Sequence, residues 1–229
     1  MDEKIIRPVA VMRTGFKGKF GVPRQSGRAV SAKGKVVFGE EYDLSSVKYL
    51  DGFSHIWLIF GFDRTEYNGK MTVRPPRLGG NKRVGVFASR SPNRPNGLGL
   101  SCVKLDGVEY VKGRVVLNVS GADVVDGTPV YDVKPYHPSA DKIDGARGGF
   151  SEREEVCGHK LQVAVSKDAE NLLPPDILAA VKECVADDPR PSYISDGNRV
   201  YGMLYGGYDI KFTVNGEVAE IISAEEKDR

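Results

Sequence analysis

Leu100-Ser101-Cys102-Val103-Lys104-Leu105-Asp106-Gly107-Val108-Glu109-Tyr110-Val111-Lys112-Gly113-Arg114-Val115-Val116-Leu117-Asn118-Val119 decides the fold class. It is rich in β-branched residues and contains no proline. It divides into short strands at residues 100–105, 108–111 and 115–119, and Asp106-Gly107 supplies a hairpin signal. Working outward, residues 54–62 form a continuous apolar run that reads as a buried strand. Residues 6–14, 35–38, 84–88 and 129–133 add further short strands, while Pro75-Pro76 excludes a helix in the Arg- and Gly-rich stretch 70–83. So many strands in about 130 residues, separated by turns, describe a sheet closed into a barrel or folded into a sandwich.

Further along the chain the pattern changes. Residues 138–155 are polar and Gly-rich and read as a loop excursion. Residues 161–165 return to a strand. Pro174-Pro175-Asp176 then opens the clearest helix, with Ile177, Leu178, Val181 and Val185 on one face. Proline is tolerated there because the first helical N–H groups have no internal partner. Asp187-Asp188-Pro189 stops the helix. Three strands follow, at 200–205, 208–214 and 218–223. The expected architecture is mainly β. A barrel-like first domain spans 1–165, and a small α+β second domain spans 166–229.

The 229 residues carry 33 Lys and Arg against 31 Asp and Glu, a balance that taken as a sum argues against a nucleic-acid partner. The distribution reverses that reading. Between 64 and 104 stand nine basic residues and a single acid, Glu66. Lys17, Lys19, Arg24, Arg28, Lys33 and Lys35 make the first 37 residues basic as well. A one-sided basic surface suits a polyanion, because each neutralised phosphate releases counterions. A solvated basic face with no partner is the plain alternative.

Other classes are excluded more directly. Three cysteines without a CxxC pair give neither a disulfide scaffold nor a Cys-rich zinc site, and they suit a reducing cytoplasm. His55, His137 and His159 show no metal-ligand spacing, so no metal is expected. No apolar run approaches the ~20 residues that a membrane span needs. No GxGxxG follows a strand and opens a helix, which argues against a Rossmann cofactor site. His55 and Trp57 read as core residues of their apolar strand, and Cys102 as packed rather than nucleophilic.

The densest chemistry lies in residues 85–101, GVFASRSPNRPNGLGLS. Pro92 and Pro95 stiffen a loop that presents Arg90, Arg94, Asn93 and Asn96. Gly97 and Gly99 allow unusual backbone angles or close approach of a ligand. A structural turn with surface arginines is the competing reading. Three other segments look like its partners: 20–25 with Arg24 and Gln25, 74–81 with Arg74 and Arg77, and 123–129 with Asp123 and Asp126. Arginine forks suit carboxylate or phosphate. Carboxylates suit a ribose hydroxyl or an amine, so the set can hold a zwitterionic nucleoside such as S-adenosylmethionine.

The run VRPPRLGGNKRVGVFASRSPNRPNGLGLS closely resembles the signature of the TsaA-like family, also called YaeB-like or TrmO. FGVPRQSG, FSHIWLIFGF, SGADVVDGTPVYDVKPY and DPRPSY resemble further blocks, so the likeness spans nearly the whole chain. The resemblance implies a non-Rossmann, S-adenosylmethionine-dependent tRNA methyltransferase: a β-barrel-like domain, a small C-terminal domain and a homodimer. The implied reaction methylates N6 of N6-threonylcarbamoyladenosine beside the anticodon of a threonine tRNA. By position, the implied cofactor contacts are Pro23, Arg24, Gln25, Asp63, Arg64, Arg90, Leu100, Ser120, Gly121, Ala122 and Asp123.

Arg74, Arg77, Arg94, Arg190 and Tyr193 are the candidate tRNA contacts, the last two from the DPRPSY block through a phosphate and a stacked base. Arg90 and Arg94 can each serve cofactor carboxylate or RNA phosphate. Asp126 is the candidate proton acceptor, against the alternative of a turn carboxylate bonded to nearby N–H groups. Two rival functions stay open: a non-catalytic RNA-binding module, and a methyltransferase with a small-molecule acceptor.

Overall fold

The computed structural model describes residues 3–75, 78, 82–153, 160–190, 197 and 199–227. Six strands close an antiparallel barrel. They are β1 (Ala10–Thr14), β2 (Lys33–Phe38), β3 (His55–Gly61), β6 (Leu98–Val111), β7 (Arg114–Ser120) and β8 (Pro129–Pro135), in the cyclic order β1-β2-β7-β6-β3-β8. The short pair β4 (Thr72–Val73) and β5 (Val84–Gly85) stands outside the barrel. Alternation sends Met12, Val36, Ile56, Leu58, Val103, Leu117 and Val119 inward to one apolar core.

Sequence and structure differ at three instructive places. The Asp106-Gly107 hairpin does not form. Instead β6 runs on to Val111, with a register shift between Leu105 and Gly107, and the two-residue turn is Lys112-Gly113. Both turn residues have positive φ, 50° and 78°, which a hairpin with native strand twist requires. The bulge leaves Lys104 and Asp106 close enough to pair, at 3.2 Å.

The run 54–62 is buried on one face only. His55 and Trp57 lie half-buried on the outer face. Trp57 Nε1–H donates at 3.0 Å to Oδ2 of Asp141, the last residue of the short helix α1 (Pro138–Asp141), and His55 Nδ1 lies 2.9 Å from Ser54 Oγ. Residues 84–88 give only the two-residue β5. Val86–Ala88 then turns into a 3-10 helix that starts the arginine loop.

The second layer holds β9 (Gln162–Val165), α2 (Lys167–Leu172), α3 (Pro175–Ala186), β10 (Tyr201–Tyr205), β11 (Tyr208–Asn215) and β12 (Val218–Glu226). Its sheet order is β10-β11-β12-β9, with β9 parallel to β12, so the C-terminal sheet reaches back to residue 162. Val181 and Val185 of α3 are buried on it, as their spacing implies. Phe16, Ala29 and Ala32, from the segment between β1 and β2, belong to this second core rather than to the barrel's. That segment therefore joins the two layers.

Strand directions bring three long connections to one end of the barrel. They are residues 15–32 after β1, 62–97 after β3, and 121–128 after β7. Loops held on a rigid sheet are where binding groups collect. Nearly every candidate site residue lies on these three loops or on the strand residues that enter them. Among the described residues, no helix is long and apolar enough to cross a membrane.

Candidate active site

Ser101, buried on the inward phase of β6, donates from Oγ to Asp123 Oδ1 at 2.6 Å. Burial pushes the Asp123 carboxyl up to about 6, against the opposing effects of the Ser101 hydroxyl, backbone N–H groups at Asp123 and Ser26, and the Arg90 charge. Two loops are thus drawn to one carboxylate. Gln25 Oε1 accepts from Arg90 Nη1 at 2.5 Å, so the loop after β1 also meets the arginine loop. Gly27 N–H donates to Gly121 O at 3.0 Å and Gly121 N–H to Ala32 O at 2.9 Å. Gly121 has φ +77°, and a Cβ there would stand 3.2 Å from the Gly27 backbone, so only glycine fits easily.

The structure therefore gathers Gln25, Arg90, Gly121 and Asp123 around one mouth, with Ser26, Gly27 and Ser101 as residues that sequence reading passed over. Ser101 carried a usable signal. It is a hydroxyl in phase with Val103 and Leu105, on the face that should be apolar.

The remaining candidates have other partners. The Arg24 guanidinium donates from Nη2 to Asp188 O at 3.1 Å and Arg190 O at 2.8 Å, so it grips the C-terminal layer. Pro23 is buried beside it. Arg64 donates to Asp126 O at 2.8 Å and Lys17 O at 3.3 Å, while Lys19 Nζ donates to Arg64 O at 2.6 Å; Asp63 is exposed. The Ser120 side chain faces outward, accepting from Lys33 Nζ at 2.6 Å and donating to Asp106. Ala122 is fully buried in the barrel core, and Leu100 lies exposed on the outer face of β6, opposite Ile59.

Asp126 accepts from Thr14 N–H at 3.1 Å and Lys17 Nζ at 2.9 Å. Burial pulls its pKa up, but these bonds and the charges of Lys17 and Arg13 outweigh it and hold the carboxyl below its ordinary value. That makes it a turn anchor and a poor proton acceptor. Cys102 is no nucleophile either, since burial and then the Asp141 charge push its thiol up.

Arg94 Nη1 donates to Ser89 O at 2.9 Å, bracing its own loop, whereas Arg90 reaches across to Gln25. Arg74 lines a cavity of about 310 Å3 with Lys70, Arg83, Asn68 and Asn93. Asn93 Oδ1 accepts from Asn68 N–H at 3.3 Å, which ties that cavity to the arginine loop. Arg190 is paired with Asp188 at 2.8 Å. Arg77 and Tyr193 lie outside the described residues.

The two-layer fold has counterparts among known proteins. The family model for the tRNA-methyltransferase O N-terminal domain matches residues 11–142, and that for the TrmO C-terminal domain matches residues 158–227. The Escherichia coli tRNA (adenine(37)-N6)-methyltransferase is 37% identical over 229 residues, covering 95% of this chain and 96% of that protein. An Eikenella corrodens protein of the same name is 44% identical over 172 residues, 74% of this chain and 95% of its own. A crystal structure of TrmO from Pseudomonas aeruginosa superposes with a TM-score of 0.79 at 28% identity, covering 98% of this chain and all of that one.

Proposed function

The chain belongs to the tRNA-methyltransferase O family, and from that premise we propose that it is an S-adenosylmethionine-dependent methyltransferase acting on N6 of adenine 37 in tRNA. The observation that carries this reading is the convergence of Gln25, Arg90 and Asp123 at the loop-bearing end of a non-Rossmann barrel. These groups fit the cofactor's chemistry. A guanidinium suits its carboxylate, and a half-buried carboxylate suits ribose hydroxyls or its amine. The close Gly27–Gly121 backbones hold two of the loops together at the same mouth.

S-adenosylmethionine, when bound, supplies an electrophilic methyl on a sulfonium sulfur. The chain's part would be to hold that methyl and the acceptor N6 in alignment and to exclude water. The acceptor of this proposal is N6-threonylcarbamoyladenosine in a threonine tRNA. Acylation of N6 makes its N–H more acidic, so no strong base is needed, consistent with the engaged state of Asp126. Arg74 and the neighbouring Lys70 and Arg83 offer phosphate contacts beside the mouth. A homodimer working in the cytoplasm completes the proposal.

The test is mass spectrometry of nucleosides from tRNA incubated with the protein and S-adenosylmethionine. The expected product is the N6-methylated threonylcarbamoyladenosine. Unchanged nucleosides, or methylation of a small molecule with tRNA untouched, would sink it.

A further inference from the structure

A second cationic feature lies on the outer wall of the barrel, at the same end as the site. Arg13, Lys17, Lys33 and Lys35 line a groove of about 680 Å3 between β1, β2 and β7. Lys104 closes on the same Asp106 as Lys33 does, at 3.2 Å and 3.1 Å respectively. Only Lys104 belongs to the basic window that the sequence singles out, and the other four come from the first 37 residues.

Arg13 and Lys35 stand directly opposite one another across the antiparallel β1–β2 pair, both exposed. Like charges in that register destabilise a sheet, so folding alone does not favour the arrangement. Four of the five cations, Arg13 among them, lie within ion-pair distance of two less exposed carboxylates. Asp126 takes Lys17 at 2.9 Å and Arg13 at 4.0 Å, and Asp106 takes Lys33 and Lys104. The two acidic side chains are 18% and 21% exposed, and the four cationic ones 58–64%. A partner therefore meets the positive heads first, and five cations over two carboxylates leave an excess of three.

The heads form a strip. The Arg13–Lys35 row and the Lys33–Lys104 row lie two residues apart along the strands, about 7 Å. Asn118, opposite Lys35, adds an uncharged polar group, and the described lining includes no aromatic ring. Such a strip grips a polyanion's backbone and reads no bases. It is tied to the loop after β3 by Arg64, which donates to the carbonyls of Lys17 and Asp126.

We propose that this groove is a second tRNA-binding surface, holding the phosphate backbone away from the base being methylated. The inference rests on the tRNA-methyltransferase reading above. It predicts that tRNA is gripped on the side wall of the barrel as well as at its mouth.

Fluorescence anisotropy with labelled tRNA tests it, comparing wild type with the double variant Arg13→Gln/Lys35→Gln. The variant should bind about tenfold more weakly, with a log-affinity against log-salt slope shallower by about 1.5 to 2. Its S-adenosylmethionine affinity by calorimetry should stay within about twofold and its melting temperature should not fall. Lys35→Glu supplies a second signature, because it sets an acid opposite Arg13. It should raise the melting temperature while weakening tRNA binding. Wild-type affinity and slope in the double variant would overturn the groove alone. Loss of cofactor binding in parallel would overturn it too, by placing the groove in the cofactor site. No tRNA binding by the wild type would overturn the function reading with it.

Discussion

Ser101 Oγ and Asp123 Oδ1 stand 2.6 Å apart, joining the inner face of β6 to the turn that follows β7. Through this bond the rigid barrel wall fixes a carboxylate at the mouth. Asp123 also feels the Arg90 charge, and Arg90 bonds to Gln25, so three loops far apart in sequence share one polar centre.

The raised Asp123 pKa gives opposite pH effects on binding and on stability. Its folded value of about 6 lies above the ordinary carboxylate value of 3.8. Folding is therefore favoured by this group at pH below about 4, and that contribution is lost as pH rises through 6. The loss is at most about 3 kcal/mol. Cofactor affinity should run the other way, weakening as pH falls through 6, because only the ionised carboxylate accepts fully from hydroxyls or an amine. Calorimetric titration from pH 5 to 8 checks this. Asp123→Asn should bind weakly and show no inflection near 6.

Arg90 is exposed and, among the described residues, its side chain bonds to Gln25. Arg90→Ala should nearly abolish turnover while the melting temperature stays within a degree or two, since exposed substitutions rarely exceed about 0.5 kcal/mol. Turnover at the wild-type level would remove Arg90 from the site.

The barrel was legible because its strands carry an apolar alternation that period-2 reading detects, and α3 because Ile177, Leu178, Val181 and Val185 mark a helical face. Turn chemistry was less legible. Asp106-Gly107 has the composition of a hairpin turn, yet Lys112-Gly113 makes it, because Val108–Val111 continues to pair with β7 and the extra residue is absorbed as a bulge. In the site, the arginine loop stood out by composition. Its partners did not, since the Ser101–Asp123 bond spans 22 residues and Gln25–Arg90 spans 65. Contacts of that separation leave no local pattern. Arg24 shows the complementary limit. The family resemblance implies a cofactor contact there, and the folded chain adds what no local pattern shows, that its guanidinium turns to the C-terminal layer.

That placement makes Arg24 separable from Arg90 by experiment. Charge-assisted bonds to the Asp188 and Arg190 carbonyls contribute about 1.5–3 kcal/mol. Arg24→Ala should therefore lower both thermal stability and cofactor affinity, because the loop carrying Gln25 loses its anchor. Arg24→Lys should recover part of the stability. A ligand with no structural role would lose affinity at unchanged melting temperature.

The same segment is tied to α3 by two further contacts. Ser31 donates from N–H and Oγ, both at 2.8 Å, to the two oxygens of the Glu183 carboxylate. Arg28 pairs with Asp187, which is only 3% exposed. Removing the cation leaves a carboxylate in a poorly hydrated place, which costs more than an exposed pair does. Arg28→Ala should destabilise the protein by about 3 kcal/mol in urea unfolding. Asp187→Asn in the same background should recover part of that loss, because a neutral side chain costs less to bury than a carboxylate. If the double variant is no more stable than Arg28→Ala, the penalty lies in lost packing of the arginine stem instead.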